Sequence, residues 1–512
     1  MMFERTLNAK KTIITGSIFK LITLIAPFIL RTIIINQLGI LYLGLNSLFT
    51  SILNSLNLIE LGLGSAVVFS MYKPVAEGDK KKICELLYIY KKAYLYIGIT
   101  ILIIGIGTTP FIKLLIKGNY PQETNIYVIF LLQLFSTFAG YSFGAYKSSL
   151  LIAFQKTYII NIVFCCSSII MYLFQVVALL FLHNYYYYVG ATIIKVILQN
   201  LIIVHIANKR YPNLVMPIVA DQKTKKEVFK KTGALAGHKL GGLVINSVDN
   251  ILISAFIGLE TVAIYNNYFY IITSLSGVFL MLTSGISSIV GNYLIEKSCE
   301  EINRLFRVIH FSISFLICFC CTCLINLIQP FMLMWIGGEG LFAFDSVVLF
   351  VVYFFCVKIR TVCLLFKDSA GLWEKDLIKP YIQVVIDLLF DFWLLQKIGI
   401  NGAIISSILC MVFGYFYESI IVFNYCMNTK PNRYYLETIS YLLITIASCT
   451  ISIMLCSIFE IKELFLKLIV NFVISIIVSN TLFIGCTFFS KEFNEWIIFI
   501  RGLIFSDRKN RN

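Results

Sequence analysis

The chain has 512 residues, 59% of them hydrophobic and 13% charged, with a mean hydropathy of +0.86 and a formal net charge of +15. That composition excludes a soluble globular protein of ordinary make-up. Apolar runs recur from end to end, each near the roughly 20 residues that cross a bilayer, and indicate an all-α polytopic membrane protein. The excess Lys and Arg fall between the runs, so they read as topology and lipid-headgroup contact; no nucleic acid is implied as a partner.

In chain order, the N-terminal MMFERTLNAKK is basic and leads into a span too long for a signal-peptide core, so it reads as a first transmembrane helix. With Met1 in the cytoplasm, the inner segments hold Lys80, Lys81 and Lys82 and the dense run from Lys209 to Lys231, while the outer ones hold little beyond Lys113, Lys117, Lys397, Lys462 and Lys467. Both termini are therefore expected in the cytoplasm. About fourteen spans are predicted, from Ile13–Leu38 and Leu41–Met71 to Leu464–Phe489. A six-helix N-terminal lobe covers 1–207, and a basic inter-lobe loop with Pro212 and Pro217 covers 208–231. A six-helix C-terminal lobe covers 232–428, an extra helix pair 429–489 and an amphipathic tail 490–512.

The lobes are related by a repeat. Lys11 to Pro74 returns without a gap, 219 positions later, as Lys230 to Tyr293: Lys20 falls on Lys239, Gly39 on Gly258, Gly44 on Ala263, Leu61 on Leu280 and Ser65 on Ser284. Each copy reads as a long helix, a link at the glycine and a second long helix. Because six spans separate the copies, the repeat is parallel, with its axis along the membrane normal. A weaker echo pairs Tyr146-Lys147-Ser148-Ser149 with Phe366-Lys367-Asp368-Ser369.

Candidate functional residues are the charges inside spans. Lys20, Pro27 and Arg31 share one stripe of the first helix, and Lys239, Asn246 and Asn250 share the equivalent stripe of its repeat. A spanning helix turns charge towards protein or water, so Lys20, Arg31 and Lys239 are expected to line a cavity suited to a phosphate or diphosphate. Against this stands snorkelling of Lys20 and Lys239 to headgroups. Lys195 and Asn250 are further candidates for the cavity. Pro27 marks either a hinge or a static kink. The acidic candidates are Glu60, Asp249, Asp387, Asp391 and Glu418. Asp387 and Asp391 recur every four residues after Gln383, where they either bind a cation or proton or pair with Lys358 and Arg360.

No catalytic motif or cofactor site is found. Gly233 to Lys239 is too short for a phosphate loop and Leu240 replaces its Ser or Thr, so Gly233, Gly237 and Gly241 read as a small-residue packing face. The 15 cysteines sit mostly inside spans and form no zinc or disulfide framework. Trp335, Trp373, Trp393 and Trp496, like the run Tyr185 to Tyr188, are expected in an aromatic belt. In the tail, Phe493, Trp496, Ile497, Ile500, Leu503 and Ile504 recur at helical spacing, as in a helix lying on the inner membrane surface.

Glu60-Leu61-Gly62-Leu63-Gly64, followed by Met71-Tyr72-Lys73-Pro74, resembles the polysaccharide-unit flippases of the multidrug/oligosaccharidyl-lipid/polysaccharide (MOP) exporter superfamily. Asp249-Asn250-Ile251-Leu252-Ile253-Ser254, with Gly258 and Tyr265, is similar to the same group. The resemblance covers the first twelve spans; the last pair is an addition similar to that of lipid II flippases. It implies two six-helix bundles, alternating access, and a polyprenyl-diphosphate oligosaccharide carried across a bacterial plasma membrane, its diphosphate held by basic cavity residues. Glycosyltransferases and a polysaccharide polymerase are the partners it implies. Rival readings are a cation-coupled drug exporter or lipid II flippase of the same fold. A membrane polymerase or ligase is less well supported, because the outer links are short.

Overall fold

The computed structural model describes residues 2–60, 62–214, 218–222, 224–226, 228, 232 and 247–498. Helix dominates and no strand occurs among the described residues, and a helix satisfies its own backbone polar groups, as a segment inside a bilayer must. Nine of the described helices are long and apolar enough to cross a membrane, or eleven if two bent pairs each count as one span. Of the rest of the expected fourteen, Leu41–Met71 falls on a shorter helix, Ile40–Leu56, Leu377–Leu395 falls on one that carries more charge, Lys379–Ile398, and Thr232–Ile257 lies partly outside the described residues. The chain divides into two compact units, Met1–Ala263 and Ile264–Asn512.

The first unit begins with α1 (Met2–Leu38), which stays helical through Pro27, and α2 (Ile40–Leu56). The link between them is Gly39, at φ +95°, a conformation that favours glycine. Its amide closes the end of α1 by donating to the Ile34 carbonyl at 3.1 Å. The same device recurs 219 positions on. Gly258, at φ +137°, donates to the Ile253 carbonyl at 3.0 Å between α9 (Ser247–Phe256) and α10 (Leu259–Glu296). The repeat read from the sequence thus extends to individual hydrogen bonds.

The expected single span Leu41–Met71 is broken. After α2 the chain makes a turn of 3-10 helix at Asn57–Glu60, and α3 (Leu63–Glu77) starts from Gly62 at φ +83°. Glu60 accepts a hydrogen bond from the Tyr94 hydroxyl at 3.0 Å, and Tyr90 bonds to Tyr94 in turn. A Cβ on Gly64 would lie 2.7 Å from the Tyr90 hydroxyl and 3.1 Å from the Glu60 carboxylate. The Glu-Leu-Gly-Leu-Gly element is therefore a helix break whose glycines supply a left-handed residue and room for a carboxylate–phenol cluster. α10 is bent by 47° between Leu280 and Gly285, at the equivalent place in the second copy.

The unit continues through α4 (Lys80–Thr108), α5 (Ile126–Ser142), α6 (Ser148–Ala153), α7 (Thr157–Leu180) and α8 (Tyr185–Arg210). Asp79, Asn125 and Asn184 cap α4, α5 and α8 with side-chain acceptors. The described end of α9 packs within this unit. Its Asn250 donates to Ser51 at 2.9 Å, Ser254 donates to the Leu115 carbonyl at 2.6 Å, and the Lys117 amine donates to the Phe256 carbonyl at 2.6 Å. Of these, Asn250 and Ser51 meet in a buried interior, and such polar contacts hold a helix where hydrophobicity alone does not discriminate. Close packing completes the junction: a Cβ on Gly44 would sit 2.0 Å from the Leu259 carbonyl oxygen. Gly44→Ala is therefore expected to destabilise the protein by at least ~1–3 kcal/mol, since backbone must move to admit a methyl group; thermal unfolding in detergent measures it.

The second unit contains most of α10, then α11 (Cys299–Ile336), α12 (Phe344–Ile359), α13 (Thr361–Ser369), α14 (Lys379–Ile398), α15 (Ile400–Val422), α16 (Asn432–Ile458) and α17 (Leu464–Thr487). A Ser298–Glu301 capping box starts α11. The extra pair α16 and α17 is fastened to α11 by polar contacts: the Asn326 amide donates to Ser452 at 2.7 Å and Ser475 at 3.0 Å, and Asn471 donates to the Asn326 carbonyl at 3.1 Å.

The tail differs from expectation over its described part. Residues 491–498 are helical (α18, within the described residues), and their apolar side faces protein: Trp496 packs on Phe311 at 5.5 Å, and Phe493 joins a buried cluster with Phe311, Tyr441 and Phe483. Arg304 and Arg433 pair with Glu495 and Glu492 around it. The aromatic groove between α11 and α17 offers the amphipathic face a closer-packed partner than headgroups do. Trp496→Ala is expected to release α18 and raise its cleavage by protease at least several-fold, with the transmembrane core intact. The Tyr185–Tyr188 run also turns inward in part: Tyr185 is fully buried and stacks on Tyr188 at 5.2 Å.

Candidate substrate cavity

Inside the first unit, α1, α2, α5, α7 and α8 enclose a cavity of about 400 Å³, a volume usual for small-molecule sites. Its wall is built by helical spacing. On α1, Pro27, Leu30, Arg31 and Ile34 face it; on α8, Tyr188, Thr192 and Lys195 do, at intervals of four and three. α2 and the turn after it contribute Asn46, Thr50, Asn54 and Asn57, α5 contributes Gln133, Ser136 and Thr137, and α7 contributes Tyr172 and Gln175. Two cations, Arg31 and Lys195, are the charged residues of the lining, and no carboxylate is among the described residues that form it.

Hydrogen bonds among the lining residues, with Tyr141 outside them, brace the wall. Gln133 donates to Asn46 at 3.0 Å, and the Tyr141 hydroxyl donates to Asn57 at 3.1 Å. Gln175 donates to the Tyr188 carbonyl at 3.2 Å and to the Thr192 hydroxyl at 3.3 Å, tying α7 to α8 beneath the chamber. The Lys195 amine lies 5.9 Å from the Phe164 ring, a cation–π contact that supports a charge amid apolar side chains. Such a chamber offers many donors and two fixed positive charges to an acceptor-rich anion, and repels a cation.

Of the residues selected from sequence, Arg31, Lys195 and Pro27 meet at this cavity. Lys20 lies exposed on α1, outside the lining, and Lys239 falls outside the described residues. Asn250 is buried against Ser51, and Asp249 beside it is buried too. Glu60 sits in the phenol cluster described above. In the second unit, Asp387 and Asp391 lie on the buried side of α14, where Ser406 donates to the Asp387 carbonyl at 2.9 Å. Arg360 pairs with Glu418, making bonds of 2.7 and 3.1 Å, and Lys358 lies 5.6 Å from the Phe279 ring. The partner of Arg360 is thus on α15, because the break between α12 and α13 aims the guanidinium at the gap left by Gly414, where a Cβ would be 2.7 Å away.

Sequence reasoning missed Asn46, Thr50, Asn54 and Asn57. Their signal was present: spaced by four, four and three, they form a polar stripe on an otherwise apolar span.

Taken together, the repeated hairpins and the long apolar spans define a multi-pass membrane protein with a polar chamber among its helices. No family model matches the sequence, and no curated protein matches it. Solved structures do match. They include a lipid II flippase, MurJ, in an inward closed conformation (TM-score 0.64, 13% identity, 92% of this chain and 98% of that one). An inward-facing multidrug resistance MATE family transporter of the MOP superfamily also matches (0.60, 16%, 80% and 98%), as does a variant of the Vibrio cholerae MATE transporter VcmN (0.52, 14%, 83% and 99%). The chain therefore has the MOP-superfamily fold.

Proposed function

We propose that the protein is a flippase that moves a polyprenyl-diphosphate-linked oligosaccharide from the inner to the outer leaflet of a bacterial plasma membrane by alternating access, with both termini cytoplasmic. The observation that carries this reading is the charge of the chamber: Arg31 and Lys195 with a neutral hydrogen-bonding wall and no carboxylate among its described lining residues. Arginine binds phosphate oxygens through a planar fork, and a positive charge in a water-poor site attracts anions more strongly than at a surface. The diphosphate is the part of the cargo for which crossing a bilayer is most costly, and these groups compensate it. An organic-cation exporter needs the opposite sign.

A lipid II flippase is the second reading. It is favoured by the extent of the likeness to MurJ, 92% of this chain against 80% for the inward-facing MATE transporter. Reconstitution separates the readings. Proteoliposomes are expected to translocate a labelled polyprenyl-diphosphate oligosaccharide faster than lipid II, and to leave organic-cation dyes in place. Dye export without lipid translocation overturns the flippase reading, and preference for lipid II establishes the second.

A further inference from the structure

The two cations account for an anion but not for the neutral wall beside them. On α2 and the following turn, Asn46, Thr50, Asn54 and Asn57 form one stripe, and Thr50 and Asn54 are exposed along it. In contact with lipid tails such groups are costly; against water or a polar ligand they are not. With the Asn46 carbonyl held by Gln133 and that of Asn57 by Tyr141, each amide has its NH2 end to offer. These are donors.

Gln175 adds an acceptor. It is 3% exposed, donates through Nε2 to Tyr188 and Thr192, and its Oε1 has no hydrogen-bond partner among the described residues. Reversing the amide would set its oxygen against the Tyr188 carbonyl, so the acceptor end stays the unpaired one. Leaving a buried carbonyl unpaired costs about 1–3 kcal/mol. An ionised diphosphate has no proton to give it. A sugar does, from hydroxyl or acylamino groups, and its oxygens accept from the asparagine amides as well.

We propose that this wall is a carbohydrate subsite for the sugar joined to the diphosphate, with Thr50 and Asn54 on its hydroxyls and Gln175 accepting from an O–H or N–H. It rests on the lipid-linked-oligosaccharide reading. The Gln175 carbonyl is covered by its neighbours in the structure, so a donor meets it after a small turn of the side chain towards the chamber it already lines.

The test uses the full chain in lipid nanodiscs and two probes, polyprenyl diphosphate and polyprenyl-diphosphate N-acetylglucosamine. Wild type is expected to bind the sugar-bearing probe more tightly. Asn54→Leu and Gln175→Leu are each expected to weaken that probe about tenfold and to leave the sugarless one within about twofold. Equal binding of both probes by wild type, or equal losses on both in the variants, overturns the subsite and leaves the flippase reading standing. Failure of wild type to bind either probe overturns that reading instead. If Gln175→Leu does not fold, Asn54→Leu, at an exposed position, decides alone.

Discussion

Arg31→Ala is expected to slow translocation of a polyprenyl-diphosphate oligosaccharide in proteoliposomes by about 10- to 100-fold, with Arg31→Lys losing less. The range follows from losing charge-assisted hydrogen bonds to a phosphate, worth about 1.5–3 kcal/mol where water is scarce. Lysine keeps the charge but not the fork. Lys195→Ala, at the same cavity, is expected to have a smaller effect of the same sign, and Lys20→Ala, outside the lining, little effect. Initial rates at matched protein levels, with unfolding midpoints as a control, provide the measurement. Full activity of both Arg31→Ala and Lys195→Ala would remove the chamber from the transport path.

The second large effect is on stability. Glu418 is fully buried and holds both Arg360 and Lys379; Lys379 also pairs at 2.9 Å with buried Asp376, which Lys367 engages in turn. Glu418→Leu leaves three buried cations with Asp376 as the remaining buried carboxylate of the network, and is expected to cost about 3–5 kcal/mol. Its pairing with Arg360→Met restores the original charge balance and should recover most of that loss, because a buried ion pair contributes little beyond an apolar pair of similar volume. Thermal unfolding of the single and double variants in detergent checks both statements. A single variant as stable as wild type would show that the network is solvated and carries no such load. This cluster lies in the second unit, so its effect on transport should follow its effect on folding.

These two predictions draw on different kinds of information. Arg31 was recognisable from its place on a spanning helix, since charge there is expensive wherever the helix goes. Glu418 was recognisable as an intramembrane acid, but its partner was not. Pairing with Asp387 and Asp391 was one of two readings for Arg360, the other giving those acids a cation or proton to bind, whereas the guanidinium reaches α15 through space cleared by Gly414. Sequence spacing resolves neighbours along one helix and carries no record of which helix stands opposite. The tail shows the same limit: Phe493 and Trp496 revealed an amphipathic face, and an aromatic groove competed with the membrane for it.

The sequence by itself determined what local covalent geometry and periodicity dictate: the spans, the 219-residue repeat, and the glycine links at Gly39 and Gly258, whose positive φ angles follow from the conformations the chain must adopt there. Tertiary structure alone decided where the desolvated polar groups went. Only the packing of five helices gathers Arg31, Lys195 and the asparagines of α2 around one chamber; likewise no local pattern identifies the rings that Tyr185 and, in the second unit, Trp496 pack against. The reason is energetic. Apolar helices pack against lipid nearly as well as against one another, so the few polar and aromatic contacts, made across long sequence separations, select the arrangement.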